Sequence, residues 1–473
     1  MRQRLLPGDQ ITQLAGGIGP IPAVHCRMNL GAAPFRCVRF CDRSGRLAAF
    51  LRPPFMSQTH VQWMAAAIFA IALLHTFAVK QFERLSHRFP RHAGLFHLLG
   101  EVEVVFGFWA IVLIVSLSLM AGGADALAYA ESRNYTEPLF VFVVMVVAAS
   151  RPVLVTVINL SNVLARMVPV RTPLATAWLG LAAVPLLGSL ITEPAAMTIA
   201  ALMLAPQVFR PAVPERAKYF ALGVLFVNVS IGGTLTSYAA PPVLMVATTW
   251  QWDSAYMLAN FGWKAAIAVC INATAATYVL RPSLVSVSTN HSAAAAPVPW
   301  SVVAIHLGFL ASVVLLAHHP VAFLALFLMF LGFTQAYERH QSPLILKEAL
   351  LVGFFLAGLV VLGGMQQWWL QPIVSALAPL QLFFGALGLT AITDNAALTY
   401  LGSLIEGMSD ESKYMLMAGA VAGGGLTVIA NAPNPAGVAL LKRGFEDETI
   451  SAGGLLMGAL VPTAVAAAAL LLL

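Results

Sequence analysis

Two acidic residues lie in apolar stretches of the chain that are otherwise alike. Glu193 lies in Ile-Thr-Glu-Pro-Ala-Ala-Met-Thr at 191–198, and Asp394 lies in Ile-Thr-Asp-Asn-Ala-Ala-Leu-Thr at 392–399. A carboxylate at the centre of a bilayer costs about 2.5 to 3.5 kcal/mol on insertion scales. A neutral serine or asparagine would cap a helix almost as well. Two costly acids at matching positions therefore favour binding of a proton or a cation, with capping of a half-helix and of its dipole as the structural alternative.

A glycine-rich interruption follows each acidic segment. Gly232-Gly233 precedes Pro241-Pro242, and Gly423-Gly424-Gly425 precedes Pro433. Both patterns interrupt a helix and free backbone carbonyls that can coordinate a small cation. Neutral side-chain oxygens accompany the interruptions at Thr236, Ser237, Thr427, Asn431 and Asn434. A proline kink satisfied by neighbouring helices is the alternative, and the recurrence of the break in the same order favours a site.

Glu101 and Glu103 form a third acidic feature, at the start of the apolar run near 97–120. Acids at a helix N-terminus complement the helix dipole and lie close to lipid headgroups, which is the favoured interpretation. A relay through which protons enter the membrane is the alternative.

The composition indicates the elements that must position these residues. Hydrophobic residues make up 59% of the 473 residues and charged residues only 10%, whereas a soluble domain carries about 25% charge. Many apolar runs reach the roughly 20 residues that cross a hydrocarbon core. Backbone polar groups find no partner in lipid, and the alternating pattern of an outer-membrane barrel is absent, so we expect an all-α polytopic membrane protein.

The apolar runs fall into two similar series. Each series contains three spans, a pair of short segments and two further spans, the first of which contains the glycine-rich break. The first series is predicted near 58–80, 97–120, 138–160, 173–190 with 194–208, 219–249 and 261–280, and the second near 299–317, 320–336, 347–364, 374–390 with 396–406, 414–441 and 451–473.

The placement of lysine and arginine predicts opposite orientations for the two series. Arg171 and Arg210 flank the first short pair, so both of its ends should be cytoplasmic. The second pair is approached through 363–372, which has no lysine or arginine, and Lys413 follows it among three acids, so both of its ends should be external. We therefore predict two inverted repeats, with about ten transmembrane helices, two re-entrant hairpins and two broken helices.

The domain boundaries follow from this pattern. Residues 1–57 form a basic tail, which we expect to be poorly ordered, with Met56 as an alternative start of translation. Eight arginines and two aspartates in 1–55 account for the whole net charge of +6, so the charge does not indicate a nucleic-acid surface. The first transmembrane repeat is predicted at 58–281, a cytoplasmic linker at 282–298 and the second repeat at 299–473.

The motifs resemble those of a known superfamily. Gly-Gly-Gly-Leu-Thr-Val-Ile-Ala-Asn-Ala-Pro-Asn-Pro-Ala-Gly at 423–437 and Thr-Asp-Asn-Ala-Ala at 393–397 resemble the ion transporter superfamily and, more narrowly, a bacterial family of sodium/proton antiporters. The resemblance covers about 58–473. It implies two pseudo-symmetric cation sites at the hairpin tips and the adjacent unwound loops, an arm helix near Arg151, a scaffold that often forms a homodimer and a location in the bacterial inner membrane.

The same resemblance assigns residues to the two sites. The first site would comprise Thr192, Glu193, Gly233, Thr236 and Ser237. The second would comprise Thr393, Asp394, Asn395, Gly425, Thr427 and Asn431. Relatives that carry carboxylates have neutral Ser-Asn-Thr tips, whereas both tips here are acidic. Asp394 is the stronger candidate of the two acids, because Asn395 and Asn431 offer its site more oxygen ligands than Glu193 finds around Pro194 and Ala240.

The acidic tips indicate the substrate class. An anion would meet two negative charges, whereas a monovalent cation would be attracted, and a carboxylate in a low-dielectric site can hold a proton or Na⁺. We therefore predict a secondary active transporter, an Na⁺/H⁺ antiporter working by alternating access, with Na⁺, H⁺ and the lipid bilayer as partners and with no cofactor or nucleic acid. The alternative is a cation-coupled transporter of a small anion. An enzyme is not expected, because metalloprotease HExxH spacing is absent and no serine and histidine pair lies in register.

Overall fold

The computed structural model describes residues 58–167, 172–284 and 298–473, and the regular structure of these ranges is entirely helical. The predictions for 1–57, for Arg171 and for all but the ends of the linker at 282–298 lie outside the described residues.

The helices before and after the predicted linker are numbered in chain order. The first group is α1 (Gln58–Arg88), α2 (Ala93–Leu99), α3 (Val102–Ala121), α4 (Gly123–Glu131), α5 (Thr136–Ala148), α6 (Arg151–Met167), α7 (Thr172–Leu181), α8 (Ala183–Ile191), α9 (Glu193–Leu204), α10 (Glu215–Gly232), α11 (Pro241–Trp250), α12 (Ser254–Met257) and α13 (Trp263–Leu284). The second group is α14 (Trp300–Leu315), α15 (Pro320–Ala336), α16 (Leu346–Gly363), α17 (Gln367–Ser375), α18 (Pro379–Thr390), α19 (Asn395–Ser403), α20 (Asp410–Gly423), α21 (Asn434–Leu441) and α22 (Ala452–Leu472).

The protein is an all-α polytopic membrane protein. In the described ranges, six helices are long and apolar enough to cross a membrane, or up to eight if each of two bent pairs forms one span. Large apolar side chains also cover the outer surface, and Leu119, Leu315 and Val321 are each more than 80% exposed. Such exposure is unfavourable in water but suits contact with lipid.

The number of long spans is smaller than the ten predicted crossings, for identifiable reasons. Helices α14 and α15 contain 16 and 17 residues. At a rise of 1.5 Å per residue these helices are about 24 to 26 Å long, short of a hydrocarbon core of about 30 Å. Helix α20 ends after 14 residues, where the glycine run begins.

The span predicted near 138–160 is bent rather than continuous. Helix α5 ends at Ala148, α6 begins at Arg151, and the two axes differ by 63°. Pro152 explains the break, because a proline fits the first turn of a new helix but cannot donate the backbone hydrogen bond of a continuing one. The predicted segment 374–390 corresponds mainly to α18, which begins at Pro379, and only its first two residues belong to α17.

Helix α10 is the most enclosed of the candidate spans. It meets α22 where Gly223 faces Gly458, and α3 meets α16 where Gly107 faces Gly358. A methyl group at any of these four positions would overlap the facing chain. Small residues of this kind let helix backbones approach closely in a membrane.

Each of the two pairs of short helices contacts the opposite half of the molecule. Helices α8 and α9 form the first hairpin, and α18 and α19 form the second. Helix α21, which follows the second break, packs on α9, and α11, which follows the first break, packs on α19. Each hairpin tip therefore meets the broken helix of the other half.

Candidate functional site

The tip of the first hairpin presents a fully buried carboxylate. Helix α8 ends at Ile191 and α9 begins at Glu193, whose side chain is 0% exposed. Between them Thr192 has φ 82° and ψ 150°, a conformation that is strained for a residue with a Cβ. Pro194 fits the first turn of α9, where its missing N–H is not needed. The chain thus turns sharply at Thr192 and places Glu193 at the start of a helix.

Glu193 has one hydrogen-bond partner and one free oxygen. Its Oε2 accepts from Asn431 Nδ2 at 2.8 Å, while its Oε1 has no hydrogen-bond partner. Gly233, at the first break, lies directly against this carboxylate, and a Cβ there would come within 2.5 Å of Oε1. Only glycine leaves room for the carboxylate in this arrangement.

The tip of the second hairpin is built differently. Asp394 is half-buried and caps α19, because its Oδ1 accepts from the N–H groups of Ala396 at 2.8 Å and Ala397 at 3.2 Å. This geometry is the capping role that the sequence left as an alternative. Thr393 points its hydroxyl back to the carbonyl of Leu389 at 2.8 Å.

Asn395 is the fully buried polar residue of the second tip. Its Nδ2 donates to Ser230 Oγ at 3.5 Å, and its Oδ1 has no hydrogen-bond partner. Ser230 was not identified from the sequence. The only signal for it is a polar residue in an apolar run, two positions before Gly232.

Two hydrogen bonds recur at corresponding places in the two halves. In the first, the Glu193 N–H donates to the Ala239 carbonyl at 3.5 Å, and the Asn395 N–H donates to the Ala430 carbonyl at 3.1 Å. In the second, Thr236 Oγ1 donates to the Ser189 carbonyl at 2.6 Å, and Thr427 Oγ1 donates to the Ala391 carbonyl at 2.8 Å. By these bonds Glu193 corresponds to Asn395, and Thr192 corresponds to Asp394. The sequence similarity pairs Glu193 with Asp394 instead, so the structural match is shifted by one residue.

The hydroxyl groups at the breaks hold the chain in place. Thr236 and Thr427 each bond a hairpin carbonyl, and Ser237 Oγ lies 3.2 Å from Ser254 Oγ. Gly425 packs against the backbone of Val227 in α10, where a Cβ would overlap it. These predicted ligands therefore fix the broken helices to the hairpins, to α10 and to the start of α12 in this conformation.

The structure brings the two tips together through the second break. Asn431 was assigned from the sequence to the site of Asp394, but its amide donates to Glu193. The neighbouring Ala430 carbonyl accepts from the backbone of Asn395 at the other tip. The carboxylates of Glu193 and Asp394 are close enough to interact electrostatically. The placement of Asn431 beside Asp394 alone is thus corrected, because one short loop serves both tips.

Unpaired oxygen atoms are concentrated at the tips and breaks. Six buried side-chain oxygens of this region have no hydrogen-bond partner in the structure: Thr192 Oγ1, Glu193 Oε1, Thr390 Oγ1, Asn395 Oδ1, Asn431 Oδ1 and Asn434 Oδ1. Buried polar atoms are normally bonded, and carboxylate, amide and hydroxyl oxygens are suitable ligands for hard cations. Within the described ranges no three His, Cys, Asp or Glu residues group together, so a cation here would be held mainly by neutral oxygens.

Glu101 and Glu103 are connected to this region by charge. Glu101 precedes α3 and forms an ion pair with Lys347 at 3.3 Å, while its Oε2 is buried and without a hydrogen-bond partner. Glu103 interacts electrostatically both with Glu101 and with Asp394. Electrostatic interaction thus links four carboxylates in series, from Glu101 through Glu103 and Asp394 to Glu193.

Comparison with known proteins gives one family. A family described as "Putative Na+/H+ antiporter" matches residues 60–473, which include both tips, both breaks and all four carboxylates. A search of curated proteins finds no match.

Proposed function

The chain belongs to this Na⁺/H⁺ antiporter family, and from that membership we propose that it exchanges Na⁺ for H⁺ by alternating access, with Glu193 as the exchanging carboxylate. The family description supports a multi-pass membrane protein that exchanges cations for protons, rather than an enzyme. The assignment of residues to the exchange rests on the geometry of the tips and breaks.

The environment of Glu193 carries the proposal. The side chain is fully buried, its one hydrogen bond comes from a neutral amide, and none of the ion pairs between described residues includes it. A buried charge without a partner is very unfavourable, so this carboxyl group requires either a proton or a bound cation. Because the two compete for the same oxygens, one can be exchanged for the other.

The remaining ligands of Na⁺ would come from neutral oxygens near Glu193. Asn431 is already in contact with Glu193, and its Oδ1 is unpaired. Thr192 Oγ1 lies on the adjacent residue and is also unpaired. Na⁺ bound to Glu193 Oε1 with these oxygens would satisfy three buried atoms at once.

The other acids would carry protons to and from Glu193. Electrostatic interactions link Glu101 with Glu103, Glu103 with Asp394 and Asp394 with Glu193, and we propose that protons pass along this series. We assign Asp394 a double role, as the cap of α19 and as a proton donor to Glu193. The half-buried position of Asp394 suits this role, because a partly exposed carboxyl group can exchange protons with water, which the fully buried Glu193 does not reach.

The way in which the tips are held supports the proposal of alternating access. The Glu193 carboxylate on the first hairpin is bound by the second break, so movement of a hairpin against the other half would break this hydrogen bond. We place the first hairpin on the cytoplasmic side and the second on the external side of a bacterial inner membrane, in two inverted repeats. We also propose that the protein forms a homodimer through its scaffold, the part of the molecule against which the hairpins move.

The test is proton exchange by the full chain in proteoliposomes. A pH gradient is imposed, and its collapse on addition of Na⁺, Li⁺, K⁺ or choline is followed with a pH-sensitive dye. We expect Na⁺ to collapse the gradient in the wild type but not in Glu193→Gln. Glu411→Gln, which changes an exposed acid at the start of α20, should behave as the wild type.

Two results would contradict the proposal. One is exchange at the wild-type rate in Glu193→Gln with correct insertion of the variant. The other is uptake of a labelled small carboxylate that depends on an imposed Na⁺ or H⁺ gradient, in place of cation exchange, which would favour the cation-coupled anion transporter considered from the sequence.

A further inference from the structure

A groove on the outside of the helix bundle lies between α7 and α13, apart from the tips and breaks. Its volume is about 580 Å³. The side chains that line it include Leu174, Trp178, Leu179, Thr274, Tyr278 and Arg281. All but the last are apolar, aromatic or small hydroxyl side chains, so the groove is an apolar surface with a single cation.

The polarity of the groove changes along α13. Trp178 Nε1 donates to Thr274 Oγ1 at 3.1 Å, which leaves the apolar faces of both side chains toward the groove. Arg281 lies seven residues further along α13, about 10 Å at 1.5 Å per residue. It falls in the last turn of the candidate membrane span Ser254–Leu284, where a helix leaves the hydrocarbon region. Tyr278, which is 75% exposed, stands one turn before it, as aromatic residues do at membrane interfaces.

Arg281 has no anionic partner in the part of the chain that the structure describes. Its guanidinium is exposed and makes no hydrogen bond or ion pair with any described residue. A second guanidinium is nearby, because Arg210 Nη2 donates to the carbonyl of Ser283 at 3.0 Å, and its Nε is buried without a partner. The polar end of the groove is therefore a cationic rim that lacks a counter-charge.

We propose that this groove binds one acyl chain of an anionic phospholipid, whose phosphate contacts Arg281. The shape favours an acyl chain, because only two helices line the groove of about 580 Å³, whereas a packed helix would need room for a cylinder about 10–12 Å in diameter. The charge favours an anionic headgroup, because a basic rim between helices at the membrane surface attracts anionic lipids. The bound lipid would contact α7, which leads into the hairpin that carries Glu193.

Lipid binding to the purified full chain tests this proposal directly. The protein in detergent is titrated with phosphatidylglycerol or with phosphatidylcholine of the same acyl chains, and bound lipids are counted by native mass spectrometry. We expect Arg281→Gln to weaken phosphatidylglycerol binding about fivefold, the usual effect of one basic residue near an anionic headgroup. Binding of phosphatidylcholine should not change. Arg216→Gln, which removes an exposed arginine that does not line the groove, is the matched control.

A second variant tests the apolar part of the groove. Thr277 also lines it and is half-buried, so Thr277→Phe should fill the space and reduce binding of both lipids. Thermal unfolding of each variant shows whether the fold is retained. Equal losses in Arg281→Gln and Arg216→Gln, or unchanged phosphatidylglycerol binding in a folded Thr277→Phe, would overturn the proposal. The result does not depend on the antiport assignment, because binding and not exchange is measured.

Discussion

Glu193 and Asp394 carry the same charge in surroundings that differ in kind. Asp394 satisfies one oxygen with two backbone N–H groups and is half-buried, so its charge is stabilised by the start of α19. Glu193 is fully buried, and one of its oxygens is unsatisfied. The geometry therefore favours Glu193 as the exchanging group, although the sequence favoured Asp394.

The double role of Asp394 can be separated by two substitutions. Asp394→Asn keeps a good N-cap but removes the ionisable group, so stability should be unchanged while exchange falls roughly 100-fold, the lower end for a positioned proton-transfer group. Asp394→Ala should in addition lose about 1 kcal/mol of stability with the cap. Thermal unfolding and sodium-dependent proton flux measure the two effects. A wild-type rate in Asp394→Asn would reduce Asp394 to a helix cap.

Asn431 should control the affinity for the cation. Asn431→Leu removes the 2.8 Å hydrogen bond to Glu193 and an unpaired oxygen, while the size of the side chain is kept. Hydrogen bonds to charged groups contribute about 1.5–3 kcal/mol, so the KM for Na⁺ should rise roughly 10- to 100-fold. Asn134→Leu, at an exposed position before α5 where the amide bonds Glu137, is the control. An unchanged KM in Asn431→Leu would exclude Asn431 from the cation site.

The first broken helix shapes the site because its backbone at Gly233 lies directly against the Glu193 carboxylate. A methyl group at Gly233 would come within 2.5 Å of Glu193 Oε1, although the φ of −71° at Gly233 is open to any residue. The need for glycine at this position thus comes from the carboxylate and not from the backbone conformation.

Gly233→Ala is accordingly expected to displace the Glu193 carboxylate and to abolish exchange while the protein still inserts. Gly385→Ala in α18 is the control, because nothing lies within 4 Å of a Cβ at that position. Both variants introduce the same methyl group and improve helix propensity, so only the contact with Glu193 differs. Sodium-dependent proton flux in proteoliposomes, normalised to inserted protein, is the measurement. Equal activity of the two variants would show that the close approach of Gly233 to the Glu193 carboxylate is not needed for exchange.

The sequence predicts those features of the elements that depend on local composition. It does not predict those that depend on contacts between distant segments. Apolar runs, glycine pairs and the acids were enough to locate the hairpins, the breaks and Glu193. The one-residue shift between the tips was not predictable, because it depends on the positive φ of Thr192, which no local residue preference indicates. The placement of Asn431 was missed for a related reason, since spacing along the chain does not show which tip a loop faces.

At the scale of the whole molecule, contacts that cross between the two series of helices couple the movement of each hairpin to the other half. Helix α21 packs on α9 and α11 packs on α19, so neither hairpin can move without changing a surface of the other half. The proposed lipid would add a contact on α7, which leads into the first hairpin. Whether these contacts serve alternating access depends on the two hairpins entering from opposite faces of the membrane.

Cysteine labelling tests this orientation in the intact protein. In a background without Cys26, Cys37, Cys41 and Cys270, single cysteines are placed at four exposed sites that flank the hairpins: Thr172, Ala212, Ala376 and Glu411. The arginines near the first hairpin should hold its flanks in the cytoplasm, so Thr172→Cys and Ala212→Cys should react with an impermeant maleimide only in inside-out vesicles. Ala376→Cys and Glu411→Cys should react only in right-side-out vesicles. Opposite-side labelling within either pair would convert that hairpin into a full crossing, and labelling of all four from one side would exclude the inverted arrangement on which the proposed exchange depends.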